Sequence, residues 1–206
     1  MNTVNGNGIK LLVGLGNPGD KYATTRHNAG FWWIDQLAAA TSTNITIETK
    51  FHGFAGKLNC TNLHRTGLDL ADETWLLKPT TFMNASGKAV SALANYYKIS
   101  PNQIMVIHDE LDLGPGTVKL KLGGGHGGHN GLKDIAAALG TNNFWRIRLG
   151  IGHPGDRNEV INFVLKAPSK DEKMLINSCI DDSINVVSQL LNADFESAML
   201  KLHTKK

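Results

Sequence analysis

Among the eight histidines, one stands where acid–base chemistry is favoured. His27 lies in Thr25-Arg26-His27-Asn28, directly before a stretch with helical periodicity. The partial positive charge at a helix N-terminus disfavours imidazolium and keeps such a ring neutral, as a base must be. A carboxylate that fixes the tautomer would complete the arrangement, and Asp109 in His108-Asp109-Glu110 is the candidate. No serine or cysteine stands in a Gly-x-Ser-x-Gly elbow. A histidine–aspartate pair without a protein nucleophile points to water as the attacker, with His27 and Asp109 catalytic. His126 and His129 are three apart, a spacing that suits a metal, but no complete ligand set accompanies them, so no metal or other cofactor is expected. His52, His64, His153 and His203 read as surface or structural residues.

Side-chain amides form the second group. Asn17, in Gly16-Asn17-Pro18-Gly19, offers two donors and an acceptor from a turn, although the same residues suit a plain loop. Gly14-x-Gly16-x-x-Gly19 also fits a dinucleotide fingerprint, but Pro18 and the lack of a well-spaced acidic partner count against that reading. Gly123 to Gly131 packs six glycines into nine residues. Such freedom costs folding entropy, so a close approach to a ligand or to another part of the chain should require it.

Alternating apolar runs and helical stretches must hold these groups, which argues an α/β fold. Strands are predicted at Ile9–Leu15, Trp75–Leu77, Ile104–Ile107, Thr117–Leu122 and Arg146–Ile151. A helix is expected from Asn28 as N-cap to about Ala40, with Phe31, Ile34, Leu37 and Ala38 inward. Others are expected through Ala85, Ala89, Leu93 and Tyr97, over Leu132–Leu139, and over Met174–Leu191 with Leu175, Ile176, Ile180, Ile184, Val187 and Leu191 inward. Asn17, Asn84 and Asp109 each follow a predicted strand, and open α/β sheets gather ligands at the carboxyl ends of their strands.

At 206 residues the chain suits roughly one domain of about 150 residues, with no linker or repeat to divide it. With 41% hydrophobic and 19% charged residues it is not a disordered chain. No apolar run reaches the ~18 residues of a membrane span, and Met1 to Gly8 lacks a signal pattern. Cys60 and Cys179 make neither a disulfide framework nor a metal spacing, which suits a reducing cytoplasm. The net charge of +3 decides little. Its distribution says more: Lys119, Lys121, Lys133, Arg146 and Arg148 face one acid, Asp134, between residues 117 and 150. That segment is either a patch for a polyanion or a solvated face.

Several motifs in order resemble the bacterial peptidyl-tRNA hydrolases. They are Gly14-Leu-Gly-Asn-Pro-Gly19 through Tyr22, Thr25-Arg-His-Asn-Ala-Gly30, and Lys78-Pro-Thr-Thr-Phe-Met-Asn84 with Ser86-Gly87. They continue in His108-Asp-Glu-Leu-Asp-Leu113, Lys121 through Leu132, and Arg148-Leu-Gly-Ile-Gly-His-Pro-Gly155. The resemblance covers about Ile9 to Leu165 and is weaker beyond. It implies a single-domain, monomeric α/β fold over residues 9–206, with a mixed, twisted central sheet flanked by helices. Residues 1–8 would be a flexible N-terminal extension, and Gly114-Pro115-Gly116 varies a loop. The implied activity is hydrolysis of the ester joining peptide to tRNA, in the cytoplasm, without an obligate protein partner. By motif, His27 is the base and Asp109 its orienting acid. Asn17, Asn84 and Asn130 contact the peptide part or the reacting centre, and Tyr22 and Met83 line the cleft. Lys121 and Arg148 fall at positions implied in tRNA contact, and Lys119, Lys133 and Arg146 would join them on the acceptor stem. A non-catalytic RNA-binding module and a metal-dependent hydrolase are the competing classes.

Overall fold

A computed structural model describes residues 8–60 and 73–204. Residues 1–7 of the expected extension, and His64, lie outside the described residues. Gly8 lies against Leu191, whose carbonyl oxygen a Cβ would meet at 1.8 Å.

In chain order the elements are β1 (Leu11–Gly14), α1 (Ala29–Thr41), β2 (Thr46–Glu48), β3 (Gly53–Lys57), β4 (Trp75–Pro79), α2 (Ser86–Tyr96) and β5 (Ile104–Glu110). β6 (Val118–Leu122), α3 (Asn130–Leu139), β7 (Trp145–Gly150), α4 (Val160–Val164), α5 (Lys170–Ile184), α6 (Val187–Leu191) and α7 (Phe195–His203) follow. The strands form one sheet in the order β2-β3-β4-β1-β5-β7-β6. β1 is parallel to β4 and β5, and β5 to β7, while β2, β3 and β6 join antiparallel. The sheet is therefore mixed, as the family resemblance implies.

Side chains alternate across each strand, so the central strands feed two cores. Leu11, Val13, Ile104 and Val106 pack with Val90, Leu93 and Ile135 of α2 and α3. Leu12, Met105 and Ile107 pack with Trp33, Ile34 and Leu37 of α1 and with Ile176 and Ile180 of α5. Trp33 Nε1 donates to Ser183 Oγ at 2.8 Å, which gives the most buried indole a partner between α1 and α5.

Departures from the predicted elements have local causes. β2 and β3 were not foreseen because Gly53-Phe54-Ala55-Gly56-Lys57 is poor in β-branched residues. Gly56 has no room for more, since a Cβ there would meet Asn44 O at 2.2 Å. Trp33 rather than Phe31 fills the core from α1, where Phe31 stays half-buried. The expected helix from Met174 to Leu191 starts earlier, at Lys170, behind a Ser169–Glu172 capping box. It then ends at Ile184, and α6 and α7 follow. Leu175, expected inward, is exposed. β6 lies at the sheet margin beneath α7, where His203 Nε2 accepts the Leu120 N–H at 3.0 Å.

Candidate active site

His27 sits in a single 3-10 turn, Arg26–Asn28, that feeds α1. Its two neighbours anchor the turn. The Arg26 Nη1 donates to the carbonyls of Phe163, Lys166 and Ala167, and its Nη2 pairs with Glu172 at 2.8 Å. The Asn28 amide binds the main chain of Asn17, where a helix-capping hydrogen bond was expected. α1 then presses onto the sheet. A Cβ at Gly30 would meet Ile107 O at 2.3 Å and Leu15 N at 2.4 Å. Only glycine permits that approach, and it brings His27 over the end of β5.

Asp109 is the penultimate residue of β5, inside the strand rather than after it. His27 Nδ1 lies 2.9 Å from Asp109 Oδ1 and 3.0 Å from Oδ2. The buried carboxylate can only accept, so Nδ1 carries the proton and Nε2 keeps the lone pair. His129 Nε2 reaches Asp109 Oδ1 at 3.1 Å, while its Nδ1 accepts the Leu132 N–H at 3.4 Å. His108 donates from Nδ1 to the Asp109 carbonyl at 2.7 Å. The His129 ring stands 5.0 Å from both the His27 and the His108 rings.

Burial alone would lower the His27 pKa, but the charge and hydrogen bond of Asp109 outweigh it and leave the ring above its ordinary 6.5. Burial would raise Asp109, yet the two imidazoles and their hydrogen bonds hold it well below the carboxylate range. His108, fully buried beside His129, is pushed down to about 3 and stays neutral. Asp109 is therefore an anion and a poor base, and His27 is the stronger one.

A cavity of about 340 Å³ opens here. His27, Asp109, His129 and Asn130 line it, with Leu111, Val160, Ile161 and Val164 as its apolar wall. Asn17, Tyr22, Met83 and Asn84 are not in that lining. Asn17 instead borders a neighbouring hollow with Phe31, Trp32 and Phe54, and its Oδ1 accepts the Met83 N–H at 2.8 Å. Met83 is buried under Gly131, close to His129. Tyr22 faces Phe82 edge-on at 6.4 Å. Asn84 is exposed in the turn before α2. Asn130 is the first residue of α3, which starts two residues before the expected Leu132.

The glycine fingerprint leads to no dinucleotide site. Gly14 and Gly16 are small because Gly30 and the Phe31 ring pack on them, and a three-residue turn rather than α1 follows Gly19.

The family model described as peptidyl-tRNA hydrolase matches residues 11–206. The chain belongs to the peptidyl-tRNA hydrolase family. It is 65% identical to the peptidyl-tRNA hydrolase of Methylobacillus flagellatus over 97% of this chain and 98% of that protein. It is 52% identical to that of Nitrosomonas europaea over 96% and 97%. The crystal structure of peptidyl-tRNA hydrolase from Acinetobacter baumannii superposes with a TM-score of 0.88 at 42% identity, covering 97% of each chain. As a member of this family the chain is an enzyme, a hydrolase. Among the described residues no helix is long and apolar enough to cross a membrane.

The five basic residues read as an RNA patch in this hydrolase do not act alike. Lys121 and Lys133 are exposed. Lys119 is half-buried, with Nζ 3.4 Å from His203 O. Arg148 pairs with Glu110 at 2.8 Å. Arg146 corrects the expectation most: it is 3% exposed and donates to Gly124 O and Gly125 O at 2.7 and 2.6 Å. It braces the glycine loop, in which Gly124 and Gly128 adopt φ of 95° and 80°.

Sequence reasoning set His129 beside His126 as a metal spacing. His126 is in fact exposed and accepts the Gly128 N–H within its own loop. Among the described residues the gathered triad is His27, Asp109 and His129, with ligand-type atoms within 4.8 Å of one another. The signal that could have found His129 is its place at the start of a helix, directly after the glycine pair Gly127-Gly128.

Proposed function

We propose that the chain cleaves the ester between peptide and tRNA in peptidyl-tRNA, releasing free tRNA for translation, through a water held and deprotonated by His27. The observation that carries this reading is the orientation of one ring. Asp109 accepts the Nδ1–H hydrogen bond of His27, so the lone pair sits on Nε2 of a residue that lines the cavity. In the proposed step Nε2 takes a proton from water as the oxygen attacks the ester carbonyl carbon. The tetrahedral oxyanion then collapses, the carbon–oxygen bond to the terminal ribose breaks, and the imidazolium returns its proton to the leaving oxygen. General-base help of this kind supplies roughly 10²–10⁴-fold. The Asn130 amide is the one of the three asparagines that shares the cavity, and an oxyanion donor there would add about 3 kcal/mol.

The reading is metal-independent. One nitrogen of each histidine, His27 Nδ1 and His129 Nε2, lies at hydrogen-bond distance from Asp109, so a cation held at the carboxylate between them would have to displace both protons. Lys121 and Lys133, exposed near the glycine loop, are proposed to meet acceptor-stem phosphates without reading sequence. Residues 9–206 are taken as one domain acting as a cytoplasmic monomer without an obligate protein partner. The test uses purified protein with N-acetyl-aminoacyl-tRNA and with free aminoacyl-tRNA, each with and without EDTA. Cleavage of the first substrate only, indifferent to EDTA, is expected. Loss with chelator and recovery with a divalent metal would replace the mechanism with a metal-dependent one.

A further inference from the structure

We propose that His129 is a positioning residue that couples the first turn of α3 to the catalytic pair. This rests on the His27–Asp109 reading and adds a third member to it. An imidazole has two nitrogens, and here each has a different task. Nδ1 faces the Leu132 N–H, a donor left free at a helix start, and so must present a lone pair. The proton is then confined to Nε2, which points at Asp109 Oδ1 from 3.1 Å. A helix-capping bond thus selects the tautomer that can hold the carboxylate.

Asp109 needs such a partner. Its side chain is 2% exposed, so water has little access to its lone pairs. Oδ1 receives His27 at 2.9 Å and His129 at 3.1 Å, and Oδ2 lies 3.0 Å from His27. With His129 in place the carboxylate plane is fixed from two directions. Without it, among the described residues only the ring that Asp109 is meant to orient would hold its side chain. His129 is itself well secured. Its N–H donates to His126 O at 2.8 Å, its carbonyl accepts the Lys133 N–H at 3.0 Å, and a Cβ at Gly131 would already crowd its ring at 3.2 Å.

Two substitutions separate the tasks. In His129→Asn the side-chain oxygen can still cap Leu132, but the side chain is too short to reach Asp109. In His129→Gln the amide can reach and donate to Asp109, while the cap is weaker. Turnover of N-acetyl-aminoacyl-tRNA should fall on the order of tenfold in kcat for His129→Asn, with KM within about twofold. His129→Gln should recover most of that rate despite a lower melting temperature. A purely structural role predicts the opposite order, with Asn harmless and Gln impaired. Wild-type kcat in His129→Asn, or equal losses in both variants, overturns the proposal. His27→Ala is run in the same assay. Normal turnover there would reject the catalytic pair itself, whereas failure confined to the His129 variants would reject only the coupling.

Discussion

Asn28 binds Asn17 with both ends of its amide. Oδ1 accepts the Asn17 N–H at 2.9 Å and Nδ2 donates to the Asn17 carbonyl at 2.9 Å. A side chain here mimics a strand neighbour and ties the turn that carries His27 to the loop after β1. Asn17 passes the connection on, because its own Oδ1 holds the Met83 N–H.

The variant Asn28→Ala leaves two buried main-chain groups unpaired. Each costs about 1–3 kcal/mol, so a loss of roughly 2–6 kcal/mol in urea unfolding is expected, with slower turnover of the folded fraction. A loss under about 0.5 kcal/mol would show that the Asn28–Asn17 bonds contribute nothing.

Replacing His27 with Ala should lower kcat by roughly 10²–10⁴ while tRNA affinity stays within a few fold. Asp109→Ala should do less damage, since the base survives with its orientation loosened. The reverse order, read from kcat on the same substrate, would make Asp109 the base.

The pH profile has a definite sign. His27 works as the neutral base, and its pKa is raised above 6.5, so kcat/KM should rise with pH through a midpoint above that value. In Asp109→Asn the attraction that raises the pKa is gone and burial, which lowers it, remains. The acid limb should therefore move to lower pH as the maximum falls. A limb that stays in place in the variant would assign it to another group.

Lys121 and Arg146 should separate cleanly. Lys121→Ala should raise KM on full peptidyl-tRNA, keep most of kcat, and reduce the log–log salt slope of binding by about 1. A peptide esterified to a lone nucleoside should be indifferent to it. Arg146→Ala releases the carbonyls of Gly124 and Gly125 and should impair both substrates alike. Equal behaviour of the two variants would erase the distinction between phosphate contact and loop brace.

What sequence could reveal here depended on whether a residue's role was local. The Ile104 and Leu11 strands declared themselves by apolar runs, and the Ser169–Glu172 capping box was present though overlooked. β3 was silent because its glycines answer to Asn44 and Lys78, distant in the chain. The same holds within the site. His27 and Asp109 could be nominated by type and setting. Arg146 read as a surface cation, because nothing in the order of residues shows two glycine carbonyls folding back onto it. His129 was seen only as one of two spaced histidines. Its partners, Asp109 and Leu132, come together only when β5 and α3 meet. Asn28 was given the right position and the wrong task, since a capping residue and a strand mimic share the same amide.

The two outer strands of the sheet bear on self-association. β2 is three residues long and followed by charge, so it offers little for another chain to pair with. β6 is longer, and the imidazole of His203 occupies its Leu120 N–H. Burial and the nearby Lys119 lower the His203 pKa, so the neutral, accepting form is favoured in the folded protein. Removing α7, or acid strong enough to protonate that ring, would free the Leu120 N–H on the unpaired edge of a strand of alternating lysine and apolar residues. The last helix thus covers the outer edge of β6, and with it gone Lys119 and Lys121 would be left to discourage another strand from pairing there.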